Sequence, residues 1–254
     1  MKRKKLYMAA IMLAFFALPM IAQAKEGPVK ITAMTRVESH SKVSDSVGNY
    51  SGESYEYTMI SLTRSLDKNV LGNLFYLNQY GIDKGRMLTH IGGVNLIYVF
   101  NPRMVGTFGY SYSSNPENTA NLFVVPLENQ DKFSSSILYT LNPKSKGLKY
   151  SFTTGYSTKT AWNKSRVLTE KANVTFPIFN KKWMGDVAYT FSSGMDKDAG
   201  GNRIGHLTNQ YTGNLTYKLC KQTKMQLGGI YINKLYNNAP DDMIWRLSVN
   251  YSFN

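Results

Sequence analysis

The stretch Met104-Val-Gly-Thr-Phe-Gly-Tyr-Ser-Tyr112 decides the fold of this chain. Its even-numbered positions carry Met, Gly, Phe, Tyr and Tyr, while its odd-numbered positions carry Val, Thr, Gly and Ser. Side chains of a β-strand point alternately to its two faces, so this pattern predicts a strand with one aromatic face and one face of small residues. A helix would repeat its apolar positions every three or four residues, and this stretch lacks that period.

The same alternation recurs along the chain in segments of about ten residues. In residues 148–156, Leu and aromatic side chains fall on even positions, and Lys, Ser, Thr and Gly fall on odd ones. Twelve such segments are present: 29–38, 54–66, 70–80, 87–100, 104–113, 132–141, 148–159, 166–178, 183–192, 207–219, 224–235 and 243–253. Segments of this length and pattern are the sequence signature of a transmembrane β-barrel.

The second segment is ambiguous in its facing. Tyr55, Tyr57 and Met59 compete with Ile60 and Leu62 on the opposite parity. A β-bulge would reconcile the two sets, because its extra residue shifts the alternation by one position. We therefore expect a bulge in this segment.

The links between the segments alternate in length. Short links lie near 67–69, 101–103, 142–147, 180–182 and 220–223, and longer ones at 39–53, 81–86, 114–131, 160–165, 193–206 and 236–242. Transmembrane barrels have short periplasmic turns and longer outer loops, whereas a soluble sandwich has no reason to sort its links by length. Twelve strands joined in this way place both chain ends on the periplasmic side.

Closure allows such strands to cross a membrane. In hydrocarbon every backbone N–H and C=O must be paired within the protein, so a sheet spans only when it closes and loses its edges. The mean hydropathy of −0.31 fits this fold, because only every second strand residue faces lipid. We predict that residues 25–254 form one all-β domain, a closed antiparallel up-and-down transmembrane β-barrel of about twelve strands. The alternative is a soluble β-sandwich with the Tyr and Phe residues in one core.

The first 24 residues predict a cleaved signal peptide. Residues 2–5 are basic, residues 6–21 are mostly apolar, and Ala22-Gln23-Ala24 supplies small residues at a cleavage site. The alternative is an uncleaved helical anchor, for which the apolar run is short. Export across the inner membrane and a barrel fold together predict a location in the outer membrane of a Gram-negative envelope.

The last segment, 243–253, alternates strictly. Its odd positions carry large apolar side chains: Trp245, Leu247, Val249, Tyr251 and Phe253. Here the chain resembles outer-membrane β-barrel proteins, whose last strand alternates in this way and ends in an aromatic residue. The resemblance implies that the barrel insertion machinery reads this strand and that outer-membrane lipid surrounds the barrel. The chain departs from the pattern by one residue, because Asn254 follows the aromatic.

The charge is strongly basic. The chain carries 30 Lys and Arg against 16 Asp and Glu, a net charge of +14 that falls to +10 without the four basic residues of the signal. Basic residues concentrate in the short links, where they would attract anions or an acidic periplasmic partner, although solvated turn charges explain them more simply. A nucleic-acid partner is not expected, because the chain is secreted and lacks a basic–aromatic binding motif.

The polar parity of the strands is the predicted lumen wall. Barrels of eight strands are filled by side chains and barrels of sixteen hold an aqueous channel, so twelve strands predict a narrow water-filled pore. The predicted pore-lining residues are Lys149, Lys159, Lys171, Asp186, Asn214 and Arg246. Because the basic members outnumber the acidic one, such a pore favours small polar or anionic solutes. The apolar run 122–127 predicts a segment that folds into the lumen or extends the next strand.

The sequence assigns no catalytic, cofactor-binding or metal-binding residue. His40, His90 and His206 are scattered, the first and last in or beside outer loops, and none lies in a short motif with the Ser and Asp that activate a nucleophile. The loop 196–202 alternates oxygen ligands but lacks the Glu that completes a calcium loop, so a flexible turn explains it more simply. The leading hypothesis is a passive channel or porin. A structural or assembly barrel of a larger envelope complex and an outer-membrane enzyme are the alternatives.

Overall fold

The computed structural model of this chain describes residues 29–44, 50–114, 130–159, 166–179, 182–197, 203–235 and 240–253. Within these residues the backbone forms twelve β-strands: β1 Lys30–Ser44, β2 Tyr50–Asp67, β3 Val70–Gly81, β4 Arg86–Asn101, β5 Met104–Ser114, β6 Gln130–Thr140, β7 Lys149–Lys159, β8 Arg166–Pro177, β9 Trp183–Lys197, β10 Arg203–Lys218, β11 Thr223–Lys234 and β12 Asp242–Phe253. No helix of the described residues is long and apolar enough to cross a membrane.

The twelve strands form one closed barrel in which each strand pairs antiparallel with its neighbours in the sequence. β1 and β12 complete the ring over ten residue pairs, from Ile31–Phe253 to His40–Ile244. Because the ring has no edge strand, the backbone groups of every strand find partners within the sheet. The predicted closed, all-β, up-and-down barrel of twelve strands is confirmed, and an open two-sheet sandwich is excluded.

Eight strands agree with the predicted segments to within two residues at each end, and β1, β2, β9 and β10 are longer. The hairpins β1–β2 and β9–β10 continue to pair as far as Ser44–Tyr50 and Lys197–Arg203. The predicted links 39–53 and 193–206 are therefore wrong in length. His40 consequently lies in β1 and His206 in β10, because cross-strand pairing extends through polar sequence that carries no apolar alternation.

The two ends of the barrel differ in the links they carry. The end that we name the turn end holds both chain termini of the barrel and the links 68–69, 102–103, 141–148, 178–182 and 219–222. The other six links lie at the opposite end, which we name the loop end. Link lengths alternate less sharply than predicted, because the extended strands shorten two loops and because the turn-end link 141–148 is itself long.

The pairing register assigns every side chain to an outer or an inner face, since directly paired residues lie on the same face of a sheet. The outer face carries large apolar side chains that are widely exposed, and Phe108 and Trp245 each expose 61% of their surface. Only four apolar side chains of the described residues are buried, among them Ile230 and Ile244. A barrel with a continuous apolar exterior and so small a core is suited to lipid rather than to water.

β2 alternates without interruption through the region whose facing the sequence left ambiguous. Tyr55 and Tyr57 lie on the inner face, and Ile60 and Leu62 lie on the outer face. No bulge separates Tyr55 from Leu62, and the register shift in the pairing with β3 lies at 65–67, at the end of the segment, where it does not change the facing of these residues. Both tyrosines have partners inside the barrel. Tyr55 packs edge-on against His40, and Tyr57 lies against the guanidinium of Arg36.

Aromatic side chains gather at the turn end. Tyr98 packs against Phe100 and Trp183 against Tyr217, with ring centroids 4.7 and 4.5 Å apart. Phe179, in the link between β8 and β9, exposes 84% of its surface. Aromatic rings at one level of a barrel are typical of the boundary between hydrocarbon and headgroups.

Candidate functional site on the inner face of the barrel

The six residues predicted to line a pore all occupy inner-face positions of the register. They are distributed over five strands: Lys149 and Lys159 on β7, Lys171 on β8, Asp186 on β9, Asn214 on β10 and Arg246 on β12. The two β7 lysines lie at opposite ends of their strand. The side chain of Lys159 lies outside the described part of the structure.

Four of the six fall on one continuous row of paired positions. The row crosses seven strands: Glu38, Arg246, Gly228, Asn214, Asp186, Thr175 and Lys149. Paired positions run perpendicular to the strands, and the strands of a barrel tilt, so the row climbs from the turn end toward the loop end. The register therefore brings Asp186, Asn214 and Arg246 together, and it leaves Lys149 at the turn-end rim.

A hydrogen-bond network joins these three residues. Arg246 donates from Nε and Nη2 to Oδ1 of Asn214 over 3.1 and 2.7 Å, and Asn214 donates from Nδ2 to Asp186 over 2.6 Å. Gly228 lies between Arg246 and Asn214 in the row, and any Cβ there would collide with the Asn214 side chain. The glycine thus lets a guanidinium of β12 reach an amide of β10, and the amide connects it to a carboxylate of β9.

A second charged cluster lies where the barrel closes, and we name it the seam cluster. Arg36 lies 3.0 Å from Glu38, and His40 lies between Glu38 and Asp242 at 3.6 and 2.9 Å. Glu38 and Asp242 expose only 7% and 4% of their surface. Buried carboxylates need such partners, because an unpaired charge away from water is strongly unfavourable. The seam cluster therefore couples β1 to β12 and packs this part of the lumen wall.

His40 and Asp242 form an acid–histidine pair of the kind that hydrolases use to activate a hydroxyl. The neighbouring Ser41 donates from its hydroxyl and its backbone N–H to Asp242 Oδ1, over 3.1 and 3.0 Å. The same Ser41 hydroxyl accepts a hydrogen bond of 2.8 Å from the backbone of Met243. Ser41 is thus bonded to the carboxylate and to the backbone of β12, which makes it a strand-joining residue in this geometry.

The seam cluster is not singled out by the sequence pattern. The pattern gives Arg36 and Glu38 no role, and it places His40 and Asp242 in or beside outer loops. A signal is nevertheless present, because the even positions of 30–40 read Lys, Thr, Met, Arg, Glu and His. The odd positions of this strand form its apolar face, and two of them carry the polar residues Thr35 and Ser39. The alternation between apolar and polar residues is therefore weak in this strand.

Small side chains line the wall formed by β6 to β9. Many of their inner-face positions carry Ser, Thr or Gly, namely Ser134, Ser136, Ser151, Thr153, Gly155, Ser157, Thr169 and Ser192, although Leu138, Val167 and Met184 lie on the same face. Lys171 lies among them with an exposed side chain. Within the described part of the chain, no ion pair joins Lys149 or Lys171 to a carboxylate. Short hydroxyl side chains leave space in front of this wall, and the exposed side chain of Lys171 lies on the same face.

Of the remaining candidates, His206 occupies an inner-face position of β10, paired with Gly194 of β9. His90 lies on the outer face, as its parity predicted, with Nδ1 2.9 Å from the hydroxyl of Tyr76 and 2.6 Å from Oδ1 of Asn78. The described residues contain no group of three or more His, Cys, Asp and Glu side chains that could hold a metal ion. The signal peptide, the apolar run 122–127 and the side chains of the loop 196–202 lie outside the described residues.

No family model and no curated protein matches this chain. Among solved structures, the KdgM porin in complex with disordered oligogalacturonate is 16% identical, with a TM-score of 0.51 over 88% of this chain and 99% of that chain. An outer membrane channel from Pseudomonas putida is 11% identical, with a TM-score of 0.63 over 91% and 98%. LpxR from Salmonella typhimurium, an outer-membrane enzyme, is 6% identical, with a TM-score of 0.54 over 87% and 99%. Likeness at these identities shows the fold alone: this chain folds as a closed antiparallel β-barrel of twelve strands, similar in fold to these proteins.

Proposed function

We propose that this barrel lies in the outer membrane and lets small polar solutes, preferentially anions, diffuse passively through its lumen. The observation that carries the proposal is Lys171, an exposed ammonium group on an inner wall of hydroxyl side chains. A cation on the wall of an aqueous path attracts anions and repels cations. The similarity in fold to a porin that was solved with an oligogalacturonate supports a transport role.

The carboxylates of the inner face do not cancel this positive charge. Asp186 accepts a hydrogen bond from Asn214, which in turn accepts from Arg246. At the loop end, Glu53 lies 2.8 Å from Lys84. The described acids of the inner face are thus held by basic, amide or hydroxyl partners, whereas no ion pair or side-chain hydrogen bond is observed for the exposed Lys171 within the described residues.

Planar bilayer recordings test the proposal directly. Refolded protein in a KCl gradient should show a reversal potential that reports a chloride permeability above that of potassium. The double variant Lys149→Glu and Lys171→Glu should shift this ratio several-fold toward potassium, because it replaces two positive charges of the wall with negative ones. Arg246 is left unchanged, since its replacement would also break the network with Asn214.

The matched control is Lys68→Glu with Lys146→Glu, which changes the net charge equally but acts in turn-end links rather than on the inner face. A double lysine variant that conducts with unaltered selectivity, or a control that shifts it as much, would remove Lys149 and Lys171 from the conducting path. A barrel that inserts and stays silent would contradict the channel and favour a structural role.

A further inference from the structure

An apolar patch interrupts the inner face on β1 to β4. Met34, Met59, Leu77 and Ile91 are paired in sequence across these four strands and form one row. Phe75, the next inner-face residue of β3, pairs with Gly93. A Cβ at Gly93 would collide with the Phe75 ring, so the ring lies over the glycine. All five apolar side chains are half-buried, and they therefore present part of their surface to the lumen.

Polar side chains bound this patch along the barrel axis. On its turn-end side, Asn95 donates to Asn73 over 3.1 Å and Asn73 donates to Thr63 over 2.9 Å. On its loop-end side, Gln79 donates to the Tyr57 hydroxyl over 3.2 Å. Apolar surface in contact with water is unfavourable, and a wall that served water alone would favour polar residues, as at most inner-face positions of β6 to β9. The patch is therefore an apolar zone bounded toward both ends of the barrel by hydrogen-bonded polar side chains.

The strand order places the patch opposite the hydroxyl wall. β3 and β9 are six strands apart in a ring of twelve, so they face each other across the lumen. Phe75 and Leu77 lie five and seven residues from the turn-end residue of β3, Val70, and Lys171 lies six residues from that of β8, Pro177. The exposed ammonium group and the patch thus lie at a similar level of the barrel.

We infer that the lumen selects amphipathic anions, small carboxylates with an apolar body, over equally charged polyhydroxylated anions. The inference rests on the proposed channel function and names its substrate class. A passing solute lays its hydrocarbon part on the patch of Met34, Met59, Phe75, Leu77 and Ile91, which removes apolar surface from water. The ammonium group of the opposite wall supplies a positive field over about one Debye length, which retains the carboxylate without direct contact.

Two carboxylates of six carbons each, one apolar and one polyhydroxylated, distinguish the effect of the apolar patch from the effect of the positive charge. Bi-ionic reversal potentials with the sodium salts of hexanoate and gluconate, recorded near pH 8 so that both are ionised, give their permeability ratio in the full-length barrel. Neutral acid that leaks through lipid carries no current and does not disturb the measurement. In the wild-type protein, the permeability ratio of hexanoate to gluconate should exceed the ratio of their mobilities in water several-fold.

The variant Leu77→Thr with Met59→Thr should return this ratio toward the mobility ratio, because Thr keeps the strand and removes the apolar surface. Leu74→Thr is the matched control, since Leu74 lies on the outer face of the same strand. Lys171→Gln should lower the permeability of both anions against sodium and leave their mutual ratio unchanged.

The outcomes distinguish the two proposals. A wild-type ratio equal to the mobility ratio would overturn the amphipathic selectivity while anion preference in KCl stands. A wild-type preference for hexanoate that survives Leu77→Thr with Met59→Thr would also overturn it, because the patch would then be covered by another part of the chain. Loss of anion preference itself would contradict the channel proposal, and the substrate class would fall with it.

Discussion

At the scale of single residues, the inner face depends on which positions lack a side chain. Gly228 is buried and lies in the row between Arg246 and Asn214, so these two side chains meet above its backbone. Gly93 similarly makes room for the ring of Phe75. A Cβ at either position would occupy the space that these side chains use. The glycines therefore decide where charged or aromatic groups of distant strands come into contact.

Gly228→Ala tests this interpretation at the charged row. The added methyl group would occupy the space of Asn214 Oδ1, so we expect Asn214 to turn away and the two hydrogen bonds from Arg246 to break. Hydrogen bonds to charged groups contribute roughly 1.5–3 kcal/mol, and the free energy of unfolding in urea should fall by about that amount.

The control for this experiment is Gly213→Ala on the neighbouring strand. A Cβ at Gly213 meets no atom within 4 Å, so its alanine variant should unfold like the wild type. Equal unfolding midpoints for the two variants would show that the network of Arg246, Asn214 and Asp186 adds nothing to stability.

At the scale of elements, the alternation of apolar and polar residues predicted where the strands lie. It predicted less well how far each strand continues to pair with its neighbours. β5 and β12 follow strict period-2 patterns, and their bounds match the prediction to within one residue. The ends of β1 and β9 were missed, because beyond the apolar belt a strand needs only a paired neighbour and its sequence becomes polar. The seam cluster was missed for a related reason. Its members come from the first and last strands, and only closure of the ring makes them neighbours.

The inner-face parity of Asp186, Asn214 and Arg246 followed from alternation alone. Their hydrogen bonds did not, since these depend on a register in which Gly228 falls between two of them. Register is specified jointly by all the hairpins and is not readable from any one strand. The pattern of a strand thus predicts which face a residue occupies, and the assembled sheet decides which residues meet.

The last strand also carries a prediction about assembly. Phe253 lies at the turn end, exposes 46% of its surface and pairs with Ile31 of the first strand. The centroid of its ring lies 4.4 Å from that of Tyr251. Phe253→Ala should lower the heat-modifiable fraction of the protein in isolated outer membranes, and deletion of 252–254 should lower it further. The reason is that the aromatic anchors the strand at the interface and completes its alternating face.

Phe100→Ala provides the comparison. Phe100 lies at the same end of the barrel, exposes 48% of its surface and packs 4.7 Å from Tyr98, but it belongs to β4. Its loss should affect assembly much less if the insertion machinery reads the last strand. Equal defects in both variants would reduce Phe253 to a general interfacial anchor, and normal assembly of the Phe253→Ala protein would contradict its role altogether.

At the scale of the whole molecule, the barrel is a ring whose chain could begin at any strand. Every strand pairs with two neighbours, and the β1–β12 pair is built like the eleven hairpin pairs. The chain ends of the barrel meet at Ile31–Phe253, where a short linker would resemble the other turn-end links. We therefore expect closure to tolerate a change in where the chain begins but not a break within a strand.

A circular permutant tests whether closure or chain order specifies the fold. A Gly-Ser linker would join Phe253 to Lys30, and new termini would open the turn between Gly81 and Arg86 at the loop end. Loops accept new termini when little paired backbone is disturbed. Refolded from urea into detergent, where no insertion machinery acts, the permutant should give a β-rich circular dichroism spectrum and a folded band that shifts only on boiling.

The matched second permutant opens the chain inside β10, between Gly213 and Asn214, and keeps the same linker. It splits a strand that pairs on both sides and separates Asn214 from half of its strand, so no folded band should form. Folding of both permutants would mean that strand pairing tolerates a break anywhere in the ring. Failure of the loop-end permutant would show that chain order contributes to closure, because its twelve strands keep every native pair and differ only in where the chain begins.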